Sequence, residues 1–275
     1  MIISNVRRRL LTLCAGLGSV SLILGLAAGP AEAAPEATKQ PAAFYVGLGD
    51  SYAAGTGGGP VIKGAFLPAE CLQTAHAYPS LLDGSNLGCF GATTGDIAVI
   101  ALGLSPVLSN ASEVSITAGG NDVGAGAVSA ACTAAPVSQD CGMALLNVQA
   151  ALLELPGAIK GLVIHVESLA AQADVVVTGY PRLFTITSDM SLEQRAVATV
   201  INRMTDQLNS AIQAGAVQAG VRYVDVASRF NGHGIGSATP WINYQPGVVN
   251  ADTFHPNAVG YTNGYGPAVR SALKR

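Results

Sequence analysis

The sequence has 275 residues, of which 49% are hydrophobic and 11% are charged, and its formal net charge is −3. Lys and Arg do not cluster beyond the first ten residues. This argues against a nucleic-acid partner, because phosphate binding needs grouped cations. About 240 residues would remain after removal of an N-terminal leader, which is enough for one domain with a substantial core.

The N-terminus has the three regions of a secretory signal peptide. Arginines stand at 7–9, an apolar run covers 10–28, and Ala31-Glu32-Ala33 fits the small-x-small cleavage pattern. We therefore predict a signal peptide over 1–33, a flexible lead-in over 34–42, and secretion of a single domain over 43–275. An uncleaved membrane anchor is the alternative, since the apolar run would just span a bilayer. No later segment is expected to be long and apolar enough to do so.

The cysteines predict two disulfides. Apart from Cys14 in the leader, the chain has Cys71, Cys89, Cys132 and Cys141, and an even number in an exported protein indicates disulfide bonding. Three pairings are possible. We favour Cys71–Cys89 and Cys132–Cys141, because each closes a short local loop. Zinc is the alternative, but no pair has the tight Cys-x-x-Cys spacing of a structural site. We expect neither a metal nor a cofactor.

Five short apolar segments have the composition of strands, and they alternate with segments of helical pattern. The predicted strands are 43–48, 86–90, 113–117, 174–178 and 221–226. Such alternation predicts a parallel sheet that is covered by helices on both faces.

The segments between these strands predict helices and three long loops. The helices are expected over 78–83, 97–102, 142–154, 157–172, 191–219 and from about 256 onward. Pro156 is expected to separate the third helix from the fourth, because proline removes a helical hydrogen bond. The loops are 55–80, 125–141 and 227–254, and loops of this length are usually functional or disordered.

The helix over 191–219 has the clearest pattern. Ser191 can cap its start, with Gln194 three residues on, which is the spacing of a capping box. Apolar residues recur at a spacing of four, which predicts one core-facing stripe rather than a ligand site. The stripe consists of Leu192, Ala196, Val200, Met204, Leu208 and Ile212.

Small or polar residues follow the predicted strands where each strand ends. Ser51, Gly91 and Asn121 follow the first three strands, and Asp252 and His255 precede the last helix. The carboxyl ends of parallel strands lie on one edge of the sheet, which is where ligands bind in open α/β folds. We therefore expect these five residues to meet.

Together these residues have the chemistry of ester hydrolysis. Ser51 needs a base to become a nucleophile, and His255 is the candidate, with Asp252 to orient its ring. The backbone N–H groups of Ser51 and Gly91 and the side-chain amide of Asn121 would form an oxyanion hole. Their neighbours Asp50 and Asp122 are expected to bond to the backbone and to take no part in the chemistry.

The same residues resemble four sequence blocks of the SGNH-hydrolase (GDSL esterase/lipase) superfamily, and of its secreted actinobacterial lipase branch in particular. The blocks are Gly49-Asp50-Ser51-Tyr52, Gly91 in Phe-Gly-Ala-Thr-Thr, Gly119-Gly120-Asn121-Asp122 and Asp252-x-x-His255-Pro256. The resemblance implies a flavodoxin-like three-layer α/β/α sandwich with Ser51 as nucleophile and His255 as base. Tyr52 replaces the Leu of the GDSL name. Some members use a backbone carbonyl instead of the aspartate, so the role of Asp252 stays open.

We expect a secreted, monomeric serine ester hydrolase that acts on lipid or small acyl esters. A carbohydrate O-acetyl esterase on the same fold is one alternative, and a binding protein on a degenerate hydrolase scaffold is another. Because His255 must be neutral to act as a base, its ordinary pKa predicts that activity falls below about pH 6.5.

Overall fold

The computed structural model of the protein describes residues 44–135 and 138–273. The predicted signal peptide and lead-in lie outside these residues. Five strands in the described part form one sheet in the order β2-β1-β3-β4-β5, and every neighbouring pair is parallel. The strands are β1 Tyr45–Gly49, β2 Ser85–Gly88, β3 Glu113–Thr117, β4 Asp174–Thr178 and β5 Arg222–Val224.

The helices lie in two layers, one on each face of the sheet, as the sequence predicted. Alternate strand residues point to opposite faces, so Val46 and Val175 join one core cluster whereas Tyr45 and Val176 join the other. The helices are α1 Ser51–Ala54, α2 Tyr78–Leu81, α3 Thr94–Gly103, α4 Ser105–Leu108, α5 Ala125–Ala134, α6 Gln139–Leu169, α7 Leu192–Ala219, α8 Ala258–Gly260 and α9 Gly266–Ala272. This architecture confirms the three-layer α/β/α sandwich.

The prediction that Pro156 divides two helices is wrong. α6 runs through the proline without a break. Leu155 and Ile159, on either side of it, are fully buried, and Gly215 of α7 lies so close that an added Cβ would be 2.7 Å from the Pro156 carbonyl oxygen. Burial of this helix face outweighs the cost of an interior proline, which is about 3 kcal/mol because the ring removes one hydrogen bond and crowds the preceding turn.

The core-facing stripe predicted for α7 is correct only in its C-terminal half. Leu208 and Ile212 are buried, but Leu192 is 84% exposed and Val200 is 44% exposed. A spacing of four residues advances 40° past a full turn at each step, since a helix has about 3.6 residues per turn. The predicted stripe therefore winds off the core towards the N-terminus of the helix. Ser191 and Gln194 do form the predicted capping box.

Both favoured disulfides, Cys71–Cys89 and Cys132–Cys141, are present. The second one joins α5 to the start of α6. The segment over 125–141 was predicted to be a loop, but its first ten residues form the helix α5. Its alanines favour a helix, and the loop prediction gave them too little weight.

The prediction that no later segment could span a membrane also needs correction. By length and composition alone, α6 is long and apolar enough to cross one. It packs against α3, α5 and α7 and contributes seven buried residues to the protein, including Val163 and Val166. Only 17% of its most apolar 18-residue stretch is buried, so packing in the core accounts for part of its apolar character and not for all of it.

Candidate active site

Ser51 lies at the abrupt junction between β1 and α1. Gly49 has a φ of +149°, and a Cβ there would be 2.3 Å from the Thr117 carbonyl oxygen, so only glycine fits next to β3. Asp50 then caps α1 by accepting a hydrogen bond from the Tyr52 backbone N–H at 2.9 Å. Ser51 is the first residue of the helix and is 6% exposed. The chain therefore turns sharply and presents the hydroxyl at the carboxyl edge of the sheet.

His255 comes to Ser51 from the other end of the chain. Its Nε2 lies 2.7 Å from the Ser51 hydroxyl oxygen, although 204 residues separate them. The rings of Tyr52 and Phe90 lie beside the imidazole, with centroid distances of 5.0 and 5.8 Å. A hydroxyl and a ring nitrogen at this distance have the geometry in which histidine accepts the proton of an attacking serine.

Asp252, predicted to orient the histidine, is not in place to do so. The other ring nitrogen of His255, Nδ1, lies 3.2 Å from the backbone carbonyl oxygen of Thr253. Asp252 is exposed, and its own backbone N–H bonds to the Asn250 side chain. The carbonyl thus occupies the position at which a triad has its carboxylate. It favours the tautomer with a proton on Nδ1 and leaves Nε2 free to accept one.

The surroundings keep His255 neutral. Burial lowers its pKa to about 4, against hydrogen bonding to the Thr253 and Ala251 backbone, which acts in the opposite direction. Burial disfavours the charged form of any group, and a neutral carbonyl compensates an imidazolium charge less than a carboxylate would. The imidazole is therefore in the form that can act as a base down to low pH.

The residues predicted for the oxyanion hole line the same cavity as Ser51 and His255. Gly91 has a φ of +77° and no atom within 4 Å of where a Cβ would stand. The Asn121 amide donates one hydrogen bond to the Ala92 carbonyl oxygen at 2.9 Å, which leaves its second N–H available. Asp122 accepts hydrogen bonds from the backbone N–H and the hydroxyl of Thr94. It thereby links the segment that follows β3 to the segment that follows β2.

Sequence reasoning missed a buried pair of side chains beside Ser51. The Tyr180 hydroxyl donates to the Asp50 carboxylate at 2.5 Å and accepts from the Gly120 backbone N–H at 3.1 Å. Burial raises the pKa of Asp50 to about 7, even though the bonds from Tyr180 and Tyr52 lower it. Asp50 does bond to the backbone as predicted, but Tyr180 lies 130 residues away and belongs to no recognisable motif.

We predict that Asp50 makes stability depend on pH. Its folded pKa of about 7 lies above the unfolded value of 3.8, so the folded state binds more protons between these values, and stability falls as pH rises through this range and levels off above it. Asp50→Asn cannot ionise. The free energy of unfolding of this variant minus that of the parent should therefore increase by about 2–3 kcal/mol between pH 5 and pH 8. Urea unfolding at both pH values measures this, and an equal difference at the two would show that Asp50 ionises normally.

An apolar cavity of about 230 Å³ opens onto Ser51 and His255. Its far walls are side chains of α5, α6 and α7, namely Val128, Val148, Ile201, Met204 and Leu208. Met204, predicted to be a core residue only, is thus part of the cavity wall. Within the described ranges, no three His, Cys, Asp or Glu side chains are grouped so that they could hold a metal ion. The structure thus places a hydroxyl in contact with an imidazole at the mouth of a largely apolar cavity.

Comparison with known proteins gives consistent matches along most of the chain. The sequence model of the GDSL-like Lipase/Acylhydrolase family matches residues 48–262. Lipase 1 of Streptomyces coelicolor is 32% identical over 262 residues, which cover 92% of this chain and 96% of that protein. The crystal structure of phospholipase A1 from Streptomyces albidoflavus NA297 is similar with a TM-score of 0.75 at 33% identity, covering 84% of this chain and 99% of that one. The extracellular lipase of Streptomyces rimosus has a TM-score of 0.74 at 30% identity, covering 84% and 100%.

Proposed function

The chain belongs to the GDSL-like Lipase/Acylhydrolase family, and on that premise we propose that it hydrolyses lipid esters with Ser51 as nucleophile and His255 as general base. The resemblance to the SGNH superfamily is thereby confirmed, and the chain is a carboxylic ester hydrolase. The alternative of a carbohydrate O-acetyl esterase is not favoured, because the relatives that match most of the chain are named lipase and phospholipase A1.

The observation that carries the assignment of roles is the 2.7 Å contact between the Ser51 hydroxyl and His255 Nε2. In the proposed reaction, the Ser51 oxygen attacks the ester carbonyl carbon while its proton passes to Nε2. The backbone N–H groups of Ser51 and Gly91 and the Asn121 amide would stabilise the oxyanion. The alcohol leaves with the proton from Nε2. Water then attacks the acyl-enzyme by the same steps and releases the carboxylic acid.

The acyl chain of the substrate is proposed to occupy the apolar cavity. The part of its wall formed by α5, α6 and α7 is mainly aliphatic or methionine, and it opens beside the nucleophile, so an alkyl chain there would be removed from water. Burial of apolar surface contributes about 25 cal/mol per Å². The cavity therefore supports an acyl donor with an aliphatic chain over one with an acetyl group, which would leave most of the volume unfilled.

Labelling with fluorophosphonates tests these roles. We expect one covalent adduct on the parent protein by intact mass and none on Ser51→Ala. A fluorophosphonate with a long alkyl chain should react faster than an ethyl analogue, because its chain enters the cavity. The failure of both probes to label folded, disulfide-intact protein would bring the binding-protein alternative to the front. Equal rates for the two probes would leave the nucleophile in place but contradict the role of the cavity.

Export is suggested by the two disulfides and by the extracellular lipase of S. rimosus among the relatives. We propose in addition that residues 1–33 are removed on secretion. The same intact masses test this point, since protein from the culture medium should begin at Ala34. A mass that includes the leader would favour the membrane anchor.

A further inference from the structure

Tyr52 connects the nucleophile helix to the histidine loop. It is the second residue of α1, directly after Ser51, but its hydroxyl donates to the Phe254 carbonyl oxygen at 2.7 Å, 202 residues along the chain. That carbonyl belongs to the peptide bond that enters His255. The Tyr52 ring also lies beside the imidazole, with the centroids 5.0 Å apart. One side chain thus touches both the peptide bond that precedes His255 and the imidazole ring of His255.

The backbone at Phe254 needs to be held in place. Its φ is +68°, a left-handed conformation that is unfavourable for a bulky residue and persists only where the surroundings enforce it. The Phe254 N–H donates to the Asn243 carbonyl oxygen at 2.9 Å, and the ring stacks on Tyr244 with centroids 5.7 Å apart. The Tyr52 hydroxyl adds a bond to the carbonyl side, so it fixes the orientation of the peptide plane before His255.

Tyr52 is itself rigidly placed. Its backbone N–H bonds to the Asp50 carboxylate, and its ring meets that of Tyr180 edge-on at 5.0 Å. Tyr180 is in turn bonded to Asp50. A side chain whose ring and backbone are both fixed by neighbours can transmit the position of α1 to the loop that it contacts.

We propose that Tyr52 is a positioning residue, whose hydroxyl holds the Phe254 carbonyl and thereby sets His255 Nε2 on the Ser51 oxygen. This inference rests on the proposed function, in which that contact is the one that reacts. It gives a physical reason for tyrosine at the position where the GDSL name has leucine, because leucine has no group that could donate to a carbonyl.

The local support for His255 explains why such a residue is needed. The bond that orients the ring comes from the Thr253 carbonyl, two residues away in the same loop. It fixes the ring relative to the loop but not relative to α1. Asn243 supplies a further tie, since it bonds to the His255 carbonyl through its N–H and to the Gly57 carbonyl through its side chain. Of these contacts, the one made by Tyr52 lies nearest to the nucleophile, because Tyr52 directly follows Ser51 in the chain.

Tyr52→Phe removes the hydroxyl and keeps the ring. We expect kcat for a water-soluble ester to fall about 10- to 100-fold, as for a reacting group displaced by about 1 Å, with KM within about twofold of the parent. The imidazole ¹H–¹⁵N resonances of His255, assigned by their loss in His255→Ala, should shift. All kcat values are expressed per site titrated with fluorophosphonate, so that a less stable variant is not mistaken for a slow one.

Tyr261→Phe is the matched control. Tyr261 is fully buried where Tyr52 is half-buried, and it likewise donates to a distant backbone carbonyl, that of Thr56, at 2.9 Å. It should keep kcat within about twofold and leave the His255 resonances unchanged. An amber-suppressed 4-aminophenylalanine at position 52, which retains a donor, should recover most of the lost kcat.

Three outcomes would overturn the inference. Tyr52→Phe with the parent's kcat and unshifted His255 resonances would show that the hydroxyl does not position the ring. An equal fall of kcat in Tyr261→Phe would assign the effect to a general loss of packing. A loss in Tyr52→Phe that 4-aminophenylalanine does not recover would show that the hydrogen bond is not the cause. The failure of the parent to react with fluorophosphonate is a separate result and would instead count against the proposed function.

Discussion

Replacing His255 with alanine is expected to lower kcat by about 10⁴- to 10⁶-fold, as in other enzymes that depend on a serine and a histidine. The imidazole Nε2 is 2.7 Å from the Ser51 oxygen, and without this base the hydroxyl keeps its proton and remains a poor nucleophile. The measurement is kcat for a soluble ester, with far-UV and near-UV circular dichroism to show that the variant is folded. A loss smaller than about tenfold would mean that another group accepts the proton.

Asp252→Asn is the matched control for this experiment. Where a carboxylate orients the catalytic histidine, the change to the amide lowers kcat about 10⁴-fold. Here Nδ1 faces the Thr253 carbonyl and Asp252 is exposed, so we expect kcat to stay within about threefold of the parent. A large loss in Asp252→Asn would show that the loop rearranges in the working enzyme and brings the carboxylate to the ring.

Those parts of the fold and site that depend on pattern alone could be predicted from the sequence. β3 and β4 were located to the residue, over 113–117 and 174–178, since short apolar runs rich in β-branched residues are typical of buried parallel strands. Ser51 and His255 could be brought together in advance because parallel strands end on one edge of the sheet. Neither inference requires knowledge of how side chains pack.

The remaining features depend on tertiary contacts that leave no local trace. Every residue has a backbone carbonyl, so nothing in the sequence marks that of Thr253 as the partner of His255. Tyr180 reaches Asp50 across 130 residues, and no spacing rule connects them. Pro156 stays inside α6 because of what Leu155 and Ile159 bury on each side, which is a packing energy and not a property of the local sequence.

The acid limb of the activity profile is expected near pH 4, and not near the pH of about 6.5 that an ordinary histidine predicts. Burial lowers the pKa of His255 to about 4, and the neutral imidazole is the form that accepts the proton. At pH 5 about nine-tenths of the folded enzyme would hold neutral His255, against about 3% for an unperturbed histidine. The measurement is kcat/KM for an uncharged ester from pH 3.5 to 9, since this ratio reports the free enzyme.

Loss of structure in acid must be separated from protonation at the site. The folded pKa of His255 is depressed, so the unfolded chain takes up its proton first, and this costs about 2 kcal/mol of stability at pH 5 relative to pH 8. Asp50 acts in the opposite sense, because its raised pKa of about 7 makes the folded state the better proton acceptor above pH 3.8. The two effects largely offset each other, so the fold should persist to about pH 5. Circular dichroism at each pH checks this. An acid limb near pH 6.5 in protein that is still folded would mean that His255 is solvated in the working enzyme. A limb near pH 7 that is absent in Asp50→Asn would instead show that activity follows the ionisation of Asp50, the carboxylate beside Ser51.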